Sequence, residues 1–296
     1  FQTFLSQQNG FTDYNFEGSG MSVLMDLLAY NTHYQAFHAN MLANEMFLDT
    51  TLLRASAVSH AKALGYLPTS MKASNALVTV TVKGVPITQT SLTMTAGSVF
   101  TTSVNDTSYQ FVTIADHTAT SDTGTFQFDD IPIYEGTRVN YTYTVDSTNL
   151  EQQFLIPSSS VDTGTLVVRV QTSASDTTTE TYKLNTDFTT LDTNSKVYFL
   201  QEVEEGRFEV YFGDGVFGYK PIDGNIIILD YVVTNGALAD GASAFTAAST
   251  VGGYSNVTAL ATASASGGGF AETVDSIKFN APLKYASQGR AVTPDD

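Results

Sequence analysis

Between residues 19 and 66 the apolar residues recur at helical spacing. Val23, Leu27, Tyr30, Tyr34, Phe37 and Met41 step by fours and threes, which places them on one stripe. The pattern predicts a helix over residues 20–48, about 43 Å long at 1.5 Å rise per residue, with Ser19 as its N-cap. Asp49 is expected to cap a second helix over residues 50–64, closed by Gly65 at the C′ position with Pro68 soon after. Met21, Leu24, Met25 and Leu28 widen the stripe at its start, and Leu42 and Met46 at its end. Such a helix either packs on both sides within its own domain or offers one side to a partner helix, as in a bundle seam.

From Ala76 the period changes to two. "ALVTVTVKG" sets Leu77, Thr79 and Thr81 against Val78, Val80 and Val82, the alternation of a strand. "SVFTTSV", "SYQFVTIA", "RVNYTYTV", "QQFLIP", "TLVVRVQT", "KVYFLQEV", "GRFEVYFG" and "NIIILDYVV" follow, separated by Gly, Asp and Asn turns. Short strands at short intervals predict antiparallel sheets. Helical periodicity returns only at "ETVDSIKFN", just before Pro282. The expected fold class is α+β. A helical hairpin or bundle segment over 1–73 precedes two small, mainly antiparallel β domains over 74–160 and 161–241. A Gly/Ala/Ser-rich connection then fills the start of 242–296, with a short helix and the beginning of a further domain after it.

Composition narrows the function classes. The 296 residues carry only 15% charged side chains and a net charge of −17. Nucleic acid and anionic membrane both require clustered Lys and Arg, and the 13 basic residues here form no run. No segment is apolar enough to span a bilayer, and no signal peptide is visible. Cysteine is absent, which removes disulfides and thiolate metal ligands. The first residue is Phe1, not Met, so the chain reads as a fragment of a longer protein.

The chemical candidates are few. Gly213, Gly215 and Gly218 spell G-x-G-x-x-G, but a dinucleotide loop needs a helix after it, to hold the pyrophosphate at its N-terminus. Here Pro221, a second turn at Asp223-Gly224 and another strand follow. Gly213, Asp214, Gly215 and Gly218 are therefore expected to form a scaffold turn between neighbouring strands, with Asp214 accepting from nearby amides. His33 and His38 are five apart and do not make a metal pair. Asp129–Asp130, Asp192/Asn194 and Asp223 lack the spacing of a calcium loop, and Glu204 and Glu205 are adjacent, which points them apart. No catalytic, cofactor-binding or metal residue is assigned, and no small-molecule substrate is expected.

Three stretches together resemble a known family. "NFEGSGMSVLMDLLAYNTHYQAFHANMLANEMFLDTTLLRASAVSHAKALGYLP" resembles the N-terminal helical region of the large wedge-ring subunit of T4-like contractile-tail phage baseplates. "VYFLQEVEEGRFEVYFGDGVFGYKPIDGNIIILDYVVTNGALADG" is similar to that subunit's central module and to the wider baseplate J-like family, and "IKFNAPLKYASQGRAVTPDD" to the element after it. The resemblance implies a structural role, not an enzymatic one, in a virion tail baseplate assembled in the host cytoplasm. Implied partners are a second copy of the chain and other baseplate wedge proteins through the N-terminal helices, and neighbouring wedges in a ring around the hub that rearranges on contraction. The implied partner-helix contact is the stripe Leu27, Tyr30, Tyr34, Phe37 and Met41. An acidic β-rich adhesin or glycan-binding tail module is the alternative.

Overall fold

A computed structural model describes residues 20–185 and 191–287. The chain opens with α1 (Gly20–Glu45), about 39 Å long, and α2 (Arg54–Ala63). Both are shorter than the periodicity predicts, because residues 46–53 form turns: the Thr50 and Thr51 amides both donate to Phe47 O, at 3.2 and 3.0 Å. Leu53, not Asp49, is the residue before α2. The expected cap Ser19 lies outside the described residues. The expected C-terminal stop of α2 is present. Gly65 has φ of 72°, and the Gly65 and Tyr66 amides close back on Lys62 O and Ala61 O, at 3.0 and 2.9 Å.

The chain then enters β1 (Asn75–Lys83), β2 (Ser91–Met94), β3 (Val99–Val104), β4 (Thr107–Val112), β5 (His117–Thr120) and β6 (Thr125–Glu135). It continues through β7 (Thr137–Thr144), β8 (Phe154–Leu155), β9 (Val161–Gln171), β10 (Thr179–Leu184), β11 (Val197–Glu202), β12 (Phe208–Phe212) and β13 (Ile226–Val233). It returns with β14 (Thr246–Ala247) and β15 (Val257–Ser266) and ends on α3 (Val274–Ser287). The fold is α+β, and among the described residues every strand pair but one is antiparallel; β10 and β11 run parallel.

One sheet has the order β14-β3-β4-β6-β1-β15 and the other β7-β13-β9-β10-β11-β12-β8; β2 and β5 pair separately. The alternation read in β1 is realised: Ala76, Val78, Val80 and Val82 enter the first core with Phe100, Phe111 and Phe126. The second core gathers Val168, Val170, Phe208, Val210, Ile227 and Leu229. In the second sheet the edge strands β7 and β8 meet, since Tyr143 Oη donates to Leu155 O at 2.7 Å, giving a barrel-like closure.

Sheet membership does not follow the expected division at residue 160. The change of sheet comes at Gly136, so β7 and β8 already belong to the second sheet, and β14 and β15 return to the first. The second sheet is thus inserted in sequence between strands of the first. The expected connection after residue 242 contains β15, which pairs with β1 from Val82↔Val257 to Asn75↔Ser266. Its Ala, Ser and Thr residues carry little strand propensity, and the pairing with β1 supplies what propensity does not.

Two further elements depart from expectation. β6 is central despite Pro132, and it accommodates this beside an irregularity in its register with β1, where Asp130 takes φ of 50°. α3 runs past Pro282, where a helix end is expected. Buried Ile277 and Ala281 pack with Ala57, Val58 and Ala61 of α2 in a third, smaller core, which holds α3 on the near side of the proline.

Candidate assembly surface

α1 is apolar and stands away from the sheets. The predicted stripe is exposed along its length: Leu27 by 61%, Tyr30 and Phe37 by 59%, Tyr34 by 44% and Met41 by 40%. Leu24, Leu28 and Leu42 on its other sides are exposed too, and Met25 is the buried exception. The stripe residues do touch one another, with the Tyr30 and Tyr34 rings 4.5 Å apart and the His38 ring tilted against Tyr34 and edge-on to Phe37. Only two residues of α1, Asp26 and Glu45, carry formal charge, in a chain of net charge −17. An exposed, nearly neutral apolar helix fits burial against another protein surface.

Glu45 fixes how α1 leads into α2. Its carboxylate accepts from the Thr51 hydroxyl, from the Leu52 amide at 2.8 Å and from the Leu53 amide at 3.4 Å. These bonds, the Thr51 hydroxyl first and the Leu52 amide next, lower its pKa from 4.5 to about 2. A carboxylate from the preceding helix thereby satisfies amides at the start of α2, where Leu53 offers no side-chain cap. His60 Nε2 lies 2.9 Å from Glu45 O and closes the corner from the other side.

α2 is tied to the sheets by Arg54. Its guanidinium meets the buried Glu202 carboxylate through Nε at 2.6 Å and Nη2 at 2.9 Å, and Nη1 donates to Glu272 O. The Glu272 carboxylate accepts from Tyr66 Oη at 2.9 Å, the Thr69 amide at 3.0 Å, Ser276 Oγ at 2.7 Å and Asn280 Nδ2 at 2.9 Å. Desolvation opposes its charge, yet these four donors outweigh it and hold the pKa below the usual range. Burial, then the neighbouring Glu272, pushes the Tyr66 hydroxyl up to about 12. No sequence pattern singled out this cluster. The available signal is Glu202, an acid at the end of an apolar strand.

The glycine-rich turn has no helix after it. Asp214 Oδ1 accepts from the Phe217 and Val216 amides at 2.9 and 2.8 Å, which lowers its pKa. Gly215 and Gly218 take φ of 91° and 90°, whereas Gly213 is needed for space: a Cβ there would overlap the Phe217 and Gly218 carbonyls. Contrary to the expectation from the sequence, the strands it joins are not neighbours, because β12 pairs with β11 and β8 while β13 pairs with β7 and β9. The turn crosses between them, pinned by the Gly218 amide on Asp192 O at 3.0 Å and the Tyr219 amide on Ser195 O at 2.8 Å.

Among the described residues no three His, Asp or Glu side chains gather closely enough to hold a metal ion. A cleft of about 350 Å³ opens between α2, the turn at 65–68 and β10–β12, lined by Val58, Tyr66, Leu67, Leu184, Phe199 and Tyr211.

Comparison with known proteins meets this arrangement at its helical end. Residues 1–66 match the helical domain of the gp6-like baseplate wedge proteins. Over 99% of its length the chain is 30% identical to baseplate wedge protein gp6 of Enterobacteria phage T4. This chain is similar to the gp6-like wedge proteins. It spans 47% of that relative's length. The gp6-like helical domain covers α1 and α2, so the exposed stripe, the Glu45 corner and Arg54 all lie in the part that defines the match.

Proposed function

We propose that the chain is a structural subunit of a phage tail baseplate wedge, located in the virion and assembled in the host cytoplasm, with no catalytic role. The observation that carries this is α1: an exposed, nearly charge-free apolar helix inside the segment matching the gp6-like helical domain. Its stripe of Leu27, Tyr30, Tyr34, Phe37 and Met41 packs against helices of a second copy and of other wedge proteins. The β sheets extend from that helical contact toward neighbouring wedges in a ring around the hub, and the ring rearranges on contraction.

Burying each large apolar side chain of the stripe is worth about 1.5–3 kcal/mol, and a carboxylate placed there costs more. The variants Tyr34→Asp and Phe37→Asp are expected to remain folded in the sheets and to sediment as the chain alone when mixed with wedge proteins. The parent chain is expected to form a discrete complex. Unimpaired assembly of both variants would remove the α1 stripe from the interface.

A further inference from the structure

The helices meet the sheets through two passes of chain, residues 64–74 and 267–273, and these run side by side. Lys72 and Gly269 exchange both backbone hydrogen bonds, at 2.9 and 3.0 Å, and the Glu272 amide donates to Thr69 O at 3.0 Å. On the sheet side the passes are anchored. Ser70 Oγ lies 2.8 Å from Thr163 Oγ1, and the Ala73 amide donates to Asp162 Oδ2 at 2.9 Å. Gly268 sits so close to Ser74 and Gly236 that a Cβ would overlap both. On the helix side the two passes end in Tyr66 and Glu272, whose side chains bond each other. Arg54 then ties the first turn of α2 to both Glu202 of β11 and the Glu272 carbonyl.

We propose that Arg54, Glu202 and Glu272 form a clamp that fixes the α2–α3 pair at one orientation on the β body, so that a displacement of the helical end turns the body with it as one lever. Two short passes held only by backbone bonds would bend. A bidentate guanidinium–carboxylate pair with one partner buried has a single favourable geometry and resists that bending. Because α1 is joined to α2 by the Glu45 corner, the clamp also sets the direction of α1 relative to the sheets. The inference concerns the isolated chain and does not depend on the wedge reading.

The absence of cysteine allows clean placement of two spin labels. Ser59→Cys on α2 and Thr142→Cys on β7 are both exposed positions. Pulsed electron paramagnetic resonance on the full chain is expected to give one narrow distance distribution. Arg54→Met/Glu202→Gln removes the ion pair, and with it the bond to the Glu272 carbonyl, without leaving a lone buried charge, and Glu272→Gln weakens the carboxylate's hold on Tyr66 and the Thr69 amide. Each is expected to broaden the distribution by about twofold, and their combination by more, while β13 amides keep their protection from exchange. A broad distribution in the parent, or an unchanged narrow one in the combined variant with β13 still protected, would overturn the clamp. Should the combined variant fail to fold, the two component variants decide the matter by the same distances.

Discussion

At the residue scale, one carboxylate and two glycines account for much of the geometry. Glu45 serves α2 and not its own helix, and its low pKa gives a sign for pH. A carboxyl depressed from 4.5 to about 2 contributes stability that is complete above 4.5 and is lost as pH falls through 2. The Leu52 and Leu53 amides are therefore expected to exchange faster in Glu45→Gln at neutral pH, and the parent's corner to loosen only below pH 4.5; exchange measured by mass spectrometry or NMR checks both. The glycines differ in kind. Gly65 has open space around its Cβ position, so Gly65→Ala meets only the strain of φ at 72° and is expected to cost about 1 kcal/mol. At Gly136, φ is 122° and a Cβ would overlap Val233 O, so Gly136→Ala is expected to cost at least about 3 kcal/mol. Denaturant midpoints at constant slope measure both.

At the element scale, helices and strands differ in what stabilises them. α2 and α3 bury Ala57, Ala61, Ile277 and Ala281 against each other. α1 has no such partner among the described residues beyond the burial of Met25, and most helical stability in proteins comes from tertiary packing of the apolar face. Amides in the middle of α1 are accordingly expected to exchange much faster than those of β9 or β13 in the chain alone, and to slow by about an order of magnitude or more when a partner covers the stripe. Equal protection of α1 with and without partners would argue against a partner-covered helix. β6 and β15 make the converse point. β6 tolerates Pro132 and β15 tolerates a run of Ala, Ser and Thr because both pair with β1, whose four alternating apolar residues anchor the first core.

At the scale of the whole molecule, one buried carboxylate stands where the two sheets join. The chain enters the second sheet at Gly136 and leaves it after Val233, and Glu135 spans the two crossings. It accepts from Thr234 Oγ1 at 2.6 Å, the Asn235 amide at 2.9 Å and Asn235 Nδ2 at 2.7 Å. Glu135→Ala leaves the buried Thr234 hydroxyl without this acceptor, while the exposed Asn235 turns to solvent, an expected loss of about 1–3 kcal/mol. It is also expected to split the calorimetric transition, because the cores around Phe111 and Leu229 would no longer unfold together. A single undivided transition at the parent's melting temperature would show that the sheets are coupled elsewhere.

The sequence by itself determined the period-two strands, the long apolar helix with its stripe from Leu27 to Met41, the Gly65 stop and the absence of a helix after Gly218. These are local: each depends on spacing within a few residues, where side-chain direction follows from backbone period. It placed Asp214 in its turn for the same reason. The helix ends at Glu45 and Leu53 were decided by a carboxylate reaching seven residues forward to Leu52. The nesting of one sheet inside the other, the strand character of β6 and β15, and the meeting of Arg54 with Glu202 and Glu272 were decided by the tertiary structure alone. Arg54 and Glu202 stand 148 positions apart, and pairings over such distances are set by which strands share a core, which no local period encodes.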